Sequence, residues 1–490
     1  MSRLLRFGLS LFLLSVMQLS YGQDVKRFSN DPVTFIAELE VKYSQIKDRK
    51  VVKEFEEFKL NWLNGKYNPE QQRYLIKISN KMLEQRMNLT PVFLLFYKDY
   101  TQSLDNKLLG EWKAIADQLV SRGNSDFLSF LKVTNGLLYN NRLFERGDRF
   151  WEFDSTEYHM KFENERLAIA FDDVLLRGVA INDTIEISTK GICYPLEPLW
   201  EGAKGETSLS RKFPNENTKI SFKEFAIKLD DFRYSVDTVL FHYPRFFETP
   251  VAGSYKDELQ DFFNEALKRK SKFPQFVSFQ NDLKIKGIVG KQSVFTGGFS
   301  LLGNVINTAT VDGKPSYIDL FFKDKKKSTL KSKGFRIANG IASAEKIEFK
   351  MYLDSGATIF HPSINVSFNY AENQLVLEKG EDGLMRGVFE DNYHNMSIDV
   401  QTMRWKIDEP FVDFDNFNND KPAIFESNDF YRQIYYDKIQ GVLPANPLEL
   451  IYRFYLRMPP DPLERDLKKL LKINLWLHGI IIFLILELRH

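Results

Sequence analysis

Two stretches decide the fold: Ile347-Glu348-Phe349-Lys350-Met351-Tyr352-Leu353 and, a little further on, Ile364-Asn365-Val366-Ser367-Phe368-Asn369-Tyr370. In the first, Ile347, Phe349, Met351 and Leu353 face one way, with Glu348, Lys350 and Tyr352 between them. In the second, Ile364, Val366, Phe368 and Tyr370 alternate with Asn365, Ser367 and Asn369. Successive side chains of a strand point to opposite faces, so a period of two predicts strands with one buried and one solvated side.

The same period spreads outward from there. Met396, Ile398 and Val400 lead into Met403, Trp405 and Ile407, with a change of register at Gln401-Thr402. Upstream, from about Phe150, residues 166–172, 184–189, 219–229 and 235–242 read as strands. Within 219–229, Ile220 and Phe222 share one phase while Phe225, Ile227 and Leu229 follow the other. Because alternation is strict, that slip predicts a bulge near Lys223-Glu224. The lysine-rich stretch 323–333 reads as a solvated hairpin in preference to a basic patch. Half-buried strands of this kind predict antiparallel sandwiches, barrels or a curved β-stack. A helix is expected at 255–270, closing the first of two β-rich domains.

Before Phe150 the period is helical. Asp31-Pro32, Asn68-Pro69 and Thr90-Pro91 each set a capping side chain before a proline suited to a first helical turn. Val33, Phe35, Ile36 and Leu39 recur at helical spacing, and a run from Val51 to Trp62 stops at Asn64-Gly65, a C-cap signal. Further helical runs span 75–83, 92–100, 108–120 and 127–143. The fold class is therefore multidomain α+β: an N-terminal helical domain, antiparallel β-rich domains, and short C-terminal helices. The expected divisions are a signal peptide at 1–22, a helical domain at 24–147, and a β-rich domain with its closing helix at 148–272. A second β-rich domain at 273–426, C-terminal helices at 427–471 and an apolar tail at 472–490 follow.

Composition fits a folded chain of about three domains. Of 490 residues, 43% are apolar and 27% charged, unlike a disordered sequence. Lys+Arg at 67 against Asp+Glu at 66 leaves a charge of +1, which argues against nucleic acid as a partner. With 43 Phe against 21 Tyr and 6 Trp, most of the aromatic content belongs to cores. Cys193 is the only cysteine, which excludes an intrachain disulfide framework and any zinc site built from several cysteines. Its neighbours Ile192 and Tyr194 suit a buried, unreactive thiol.

The N-terminus gives an address. Arg3 and Arg6 precede an apolar stretch at 7–19, and Ser20-Tyr21-Gly22 supplies small residues for signal-peptidase cleavage before Gln23. An exported protein of the periplasm or cell envelope is expected. At the other end, Leu463, Leu467, Leu470 and Leu471 open a helical pattern, and 473–486 is nearly all apolar apart from Asn474 and His478. That run is short of the roughly 20 residues of a spanning helix, so a truncated or frame-altered end is expected, with a marginal membrane segment as the alternative.

Several short motifs stand in order: Tyr194-Pro195, Trp200-Glu201-Gly202, Asp237-Thr238-Val239-Leu240-Phe241, Tyr243-Pro244-Arg245-Phe246-Phe247-Glu248-Thr249-Pro250-Val251 and Arg404-Trp405-Lys406-Ile407-Asp408-Glu409-Pro410. Together they resemble the N-terminal part of very large exported proteins of Bacteroidota-type bacteria, over most of the chain to about Leu470. The resemblance implies an N-terminal signal, helices first, then repeated β-rich domains. It supplies no catalytic residues, and such proteins are much longer than this chain.

Chemistry-bearing motifs are few. The histidines at 159, 242, 361, 394, 478 and 490 include no close metal-ligand spacing. Gly287-Ile288-Val289-Gly290-Lys291-Gln292-Ser293 lacks the glycine spacing and the hydroxyl after the lysine that a phosphate loop requires. Asp413, Asp415, Asn418 and Asp420 offer oxygen ligands, but not in the order of a calcium loop. No catalytic residue, metal or cofactor is assigned. The one polar constellation is Asp354 and His361 after one strand, with Asp391 and His394 in another loop. A carboxylate beside an imidazole can orient it for acid–base work or metal binding. Turn capping by each aspartate is the favoured reading, since Asp readily accepts backbone hydrogen bonds there. Trp200 is the best candidate for stacking on a sugar ring, against the alternative of core packing.

The expected function is structural or binding work at the cell envelope without catalysis, with protein, polysaccharide or lipid as partner and membrane contact through the C-terminal tail. A curved β-stack with an open apolar inner face would suit acyl chains. The alternative is a carbohydrate-active hydrolase using a carboxylate pair.

Overall fold

The computed structural model describes residues 27–428, apart from 105–106, 156, 309–312 and 417–421, together with Arg453. The expected signal peptide, C-terminal helices and apolar tail lie outside the described residues.

The helical part follows its caps. Helix Pro32–Tyr43 starts where the Asp31 carboxylate accepts the Thr34 N–H at 2.8 Å. Helix Pro69–Glu84 starts with a reciprocal box, Asn68 and Gln71 each taking the other's backbone N–H. Helix Arg49–Leu63 stops at Asn64, followed by Gly65 at φ +73°, where a side chain would be strained. Thr90 is extended, the backbone of a residue that precedes a helix, within a kinked turn, Leu89–Phe93, and that turn runs on into the helix Leu94–Ser103. Helices Leu109–Leu119 and Asn124–Asn140 complete the bundle. Its centre is aromatic: Phe58 stacks on Tyr97 at 4.1 Å, and Phe96 on Trp112 at 5.8 Å.

Glu111 joins the bundle to the strands, accepting the Met160 N–H at 2.6 Å and lying 3.0 Å from His159 Nδ1. From Arg142 onward the chain is β-rich, and all pairings between strands are antiparallel. The longest strands serve two sets of neighbours. The start of Arg166–Ala180 pairs with Tyr158–Glu163 and its end with Arg149–Asp154. Leu199–Thr207 pairs through 199–202 with Phe225–Lys228, and through 205–207 with Lys219–Phe222. Ile341–Tyr352 starts against Arg336–Ala338 and ends against Lys325–Ser332. Thr358–Asn369 starts against Phe389–Asp391 and ends against Gln374–Glu378.

One ladder is thus folded into two rows along a line of bulges, at Phe171/Val174, Gly253/Tyr255 and Ala344/Ile347 among others. Between the rows lies a common core; Trp151 Nε1 reaches across it to donate to the Leu229 carbonyl at 3.1 Å.

This arrangement corrects two expectations. Lys223-Glu224 is not a bulge inside one strand but the passage between two strands lying in different rows. The register change expected at Gln401-Thr402 is present and is a passage of the same kind: Met396–Asp399 pairs with Phe389–Asp391, and Thr402–Lys406 with Gln374–Glu378. The expected helix at 255–270 is shorter, Glu265–Lys270, because Val251–Glu258 is a strand with Val251, Gly253, Tyr255 and Asp257 inward. Across 272/273 the ladder continues, 253–256 pairing with Gln275–Ser278. The lysine-rich stretch is the hairpin Ser316–Phe322 and Lys325–Ser332, turned by Lys323 and Asp324 at φ +49° and +61°.

The inner face is filled by its own side chains. Phe241, Phe276 and Phe299 pack together at 4.6 and 6.3 Å, each fully buried or nearly so. Cys193 is buried, and burial holds its thiol well above the usual range. Among the described residues no helix is long and apolar enough to cross a membrane.

Candidate functional site

The four-residue constellation is split by the sheet. His361 sits on Thr358–Asn369, its ring wholly buried and 4.8 Å from the Phe389 ring. Nε2 lies 3.3 Å from the Gly387 carbonyl, and Nδ1 accepts the Ser363 N–H at 3.2 Å. With one nitrogen accepting, the other carries the proton, so the ring is neutral; burial pushes its pKa down to about 4. Asp354 is exposed and pairs with Lys327 at 3.0 Å, not with His361. Asp391 lies across from Ile359 on the neighbouring strand and is buried. Its Oδ1 accepts the Tyr393 N–H at 2.8 Å, and its Oδ2 lies 2.7 Å from His394 Nδ1. The His394 side chain is 56% exposed. One imidazole is therefore inside the core and the other on the surface, each with its own partners. Among the described residues no three His, Cys, Asp or Glu side chains are grouped to hold a metal.

Trp200 offers no face to a sugar. It is wholly buried beside Phe171, with ring centroids 5.6 Å apart. Gly191 on the neighbouring strand lets the backbone come close to the indole: a Cβ there would lie 3.0 Å from Trp200 Cζ2 and run into the Glu201 carbonyl.

A different polar cluster escaped the sequence reading. Arg211, in the loop after Leu199–Thr207, forks between two carboxylates. Nη1 reaches Asp183 at 2.8 Å, and Nη2 bonds Asp257. The side chains of Asp183 and Asp257 are 2% and 4% exposed, and that of Arg211 13%. Asp257 also accepts the Tyr255 hydroxyl at 2.9 Å, and Asp183 the Gln260 N–H at 3.0 Å. Burial raises the Asp257 pKa to about 6 against the pull of Arg211. A cleft of about 380 Å³ opens beside the cluster, lined by Thr184, Glu186, Thr207, Ser208 and Ser210. Hydrolysis of a glycoside needs an acid and a base facing each other across the bond. Here a guanidinium stands between the two carboxylates and is bonded to both. The only sequence signal was Asp257 in the inward phase of an otherwise apolar strand.

The helical part holds a second buried carboxylate. Asp99 is fully buried and takes hydrogen bonds from Thr134 Oγ1 at 2.6 Å and Asn135 Nδ2 at 2.8 Å. Burial raises its pKa to about 7.

Fold and clusters together define a class: an antiparallel β-stack, folded into two rows and capped by an aromatic helical bundle. No family model, curated protein or solved structure matches the chain.

Proposed function

We propose that the chain is an exported structural or binding protein of the cell envelope, a non-enzymatic scaffold. The observation that supports this best is the uninterrupted antiparallel ladder from Arg142 to Ser427, with its interior filled by its own side chains. Such a body is stiff, because every strand is tied to neighbours and the core has no room to shift. Its recognition surfaces are then the outward faces of the two rows and the bundle. The N-terminal signal pattern and the resemblance to very large exported proteins supply the location. A filled interior leaves the outward faces to protein or polysaccharide partners, with lipid contact assigned to the C-terminal tail.

The test uses the chain from Gln23 onward, sedimented with envelope polysaccharide, with envelope protein extract and with phospholipid vesicles. Retention by polysaccharide or protein is expected. Retention by none of the three, or turnover of a polysaccharide, overturns the proposal.

A further inference from the structure

We infer that the outer face of one row carries a binding trough for a short oligosaccharide bearing a carboxylate. This rests on the envelope-binding reading and names its ligand class. The trough has a volume of about 660 Å³ and crosses the strands. Its axis is set by register: Asn307 lies opposite Arg336, Arg336 opposite Ser343, Ser343 opposite Ser367, and Ser367 opposite Val376. Directly paired residues share a face, so these five side chains form one transverse line. Four strand spacings of about 4.8 Å make it roughly 19 Å long, room for a few sugar rings. Asn365 and Glu378, opposite each other, form the adjoining line.

The lining is what a sugar requires. At the centre the side chains are short, Ser343 and Ser367, while longer arms flank them. Hydroxyls and amides both donate and accept, as sugar hydroxyls do, and Val376 offers a small apolar floor for ring C–H groups. Lys333, Arg336, Glu345 and Glu378 are the charged residues of the lining. Neighbouring charges are paired with one another, Lys331 with Glu348 at 2.8 Å and Lys346 with Asp382 at 3.7 Å. Among the described residues no ion pair engages Lys333, Arg336, Glu345 or Glu378. The cations would receive a carboxylate, and the carboxylates would accept from hydroxyls. A polyphosphate would meet Glu345 and Glu378. A peptide adding itself as a strand needs unpaired main chain, but 343, 367 and 376 lie on strands paired on both sides.

Calorimetry on the chain from Gln23 onward with aldotetraouronic acid, three xylose rings bearing a single methylglucuronate, as probe tests this, xylotetraose being the neutral control. Measurable binding of the aldotetraouronic acid is expected, with at least tenfold weaker binding of xylotetraose. Arg336→Ala should weaken the acidic sugar about tenfold, and Ser367→Trp, which fills the trough from the solvent side, should abolish binding at an unchanged melting temperature. Should Ser367→Trp fail to fold, Glu378→Ala and Arg336→Ala carry the test. Equal binding of both sugars, absence of binding by the parent, or binding untouched by the variants overturns the trough. Sedimentation with envelope polysaccharide separates the two readings: if parent and Ser367→Trp sediment equally, the trough fails and the scaffold stands; if neither a sugar nor any envelope fraction is bound, both fail.

Discussion

The bundle and the β-stack each bury a carboxylate, and they do so by opposite means. Asp99, among the helices, is held by two neutral donors, a hydroxyl and an amide. Asp257, in the stack, is held by a guanidinium that it shares with Asp183. Neutral donors cannot offset the cost of an ionised carboxylate in an apolar interior, so Asp99 can fold as the acid. A guanidinium offsets part of it, leaving Asp257 at about 6, and only while all members of the cluster stay in place. The bundle thus has the site more sensitive to pH, and the stack the one more sensitive to loss of a partner. The difference follows from topology. The bundle's donors come from one neighbouring helix, whereas Arg211 gathers two strands far apart in sequence, Asp183–Tyr194 and Val251–Glu258.

The largest expected effect breaks the stack's side of this contrast. Arg211→Met keeps the volume of the arm and removes all its donors. It leaves Asp183 and Asp257 buried without a cation, a change that costs about 3–5 kcal/mol in comparable clusters. Urea unfolding at pH 7 followed by circular dichroism reads this directly. Adding Asp183→Asn and Asp257→Asn to Arg211→Met should recover part of the loss, because amides need no counter-ion. A loss below about 1 kcal/mol for Arg211→Met would show that the cluster is solvated in solution and that the contrast is unfounded.

A smaller and conditional effect belongs to Asp99. Its folded pKa of about 7 lies above the ordinary 3.8, so in the interval between them the unfolded chain releases a proton that the folded chain keeps. Stability of the bundle is therefore full below about pH 4, declines as pH rises towards 7 and is flat above. At about 1.4 kcal/mol per unit, the whole decline is on the order of 4 kcal/mol as an upper bound. Asp99→Asn should remove the slope. The Asn135 amide would still donate to its oxygen. The new Nδ2 would donate to Thr134 Oγ1, whose own hydrogen turns to the Leu131 carbonyl at 3.3 Å. Amide exchange of Leu94–Ser103 and Asn124–Asn140 at pH 5 and pH 8 measures it. The variant should be better protected than the parent at pH 8 and similar at pH 5. Equal protection at both values would mean that Asp99 ionises without cost.

What the sequence disclosed follows from how far each signal acts. Asp31-Pro32, Asn68-Pro69 and Asn64-Gly65 act within one helical turn, and the helix ends lie where those residues set them. Thr90-Pro91 has the same local chemistry, and Thr90 is extended as Asp31 and Asn68 are, but a kinked turn, Leu89–Phe93, stands between it and the helix Leu94–Ser103. The alternation from Ile347 to Leu353 was plain, and so were the slips near 223 and 401. Their meaning was not, because a change of phase reads as a bulge until both sets of neighbours are known. A helix was expected over 255–270, although Tyr255 and Asp257 belong to an inward phase of two. The Arg211 cluster was beyond reach for the same reason. Its members stand at 183, 211 and 257, and only the folded ladder closes that distance.

The smallest expected effect separates capping from chemistry at Asp391. If the aspartate serves its turn, its value lies in the two backbone N–H groups it accepts, from Tyr393 at 2.8 Å and His394 at 3.3 Å. Asp391→Ala should then cost about 1–2 kcal/mol, the range for a lost cap that leaves donors without an acceptor. His394→Ala removes only a half-exposed imidazole and should change stability by less than about 0.5 kcal/mol. Asp391→Asn tells the two bonds apart, since its oxygen can keep the backbone donors while its amide no longer accepts from the His394 ring. Under the capping reading Asp391→Asn stays close to the parent in urea unfolding, and zinc shifts the melting temperature of none of these proteins. A zinc-dependent rise in the parent that disappears in both His394→Ala and Asp391→Asn would instead make the pair a ligand and its orienting carboxylate, and the outward surface of the stack would then carry chemistry as well as recognition.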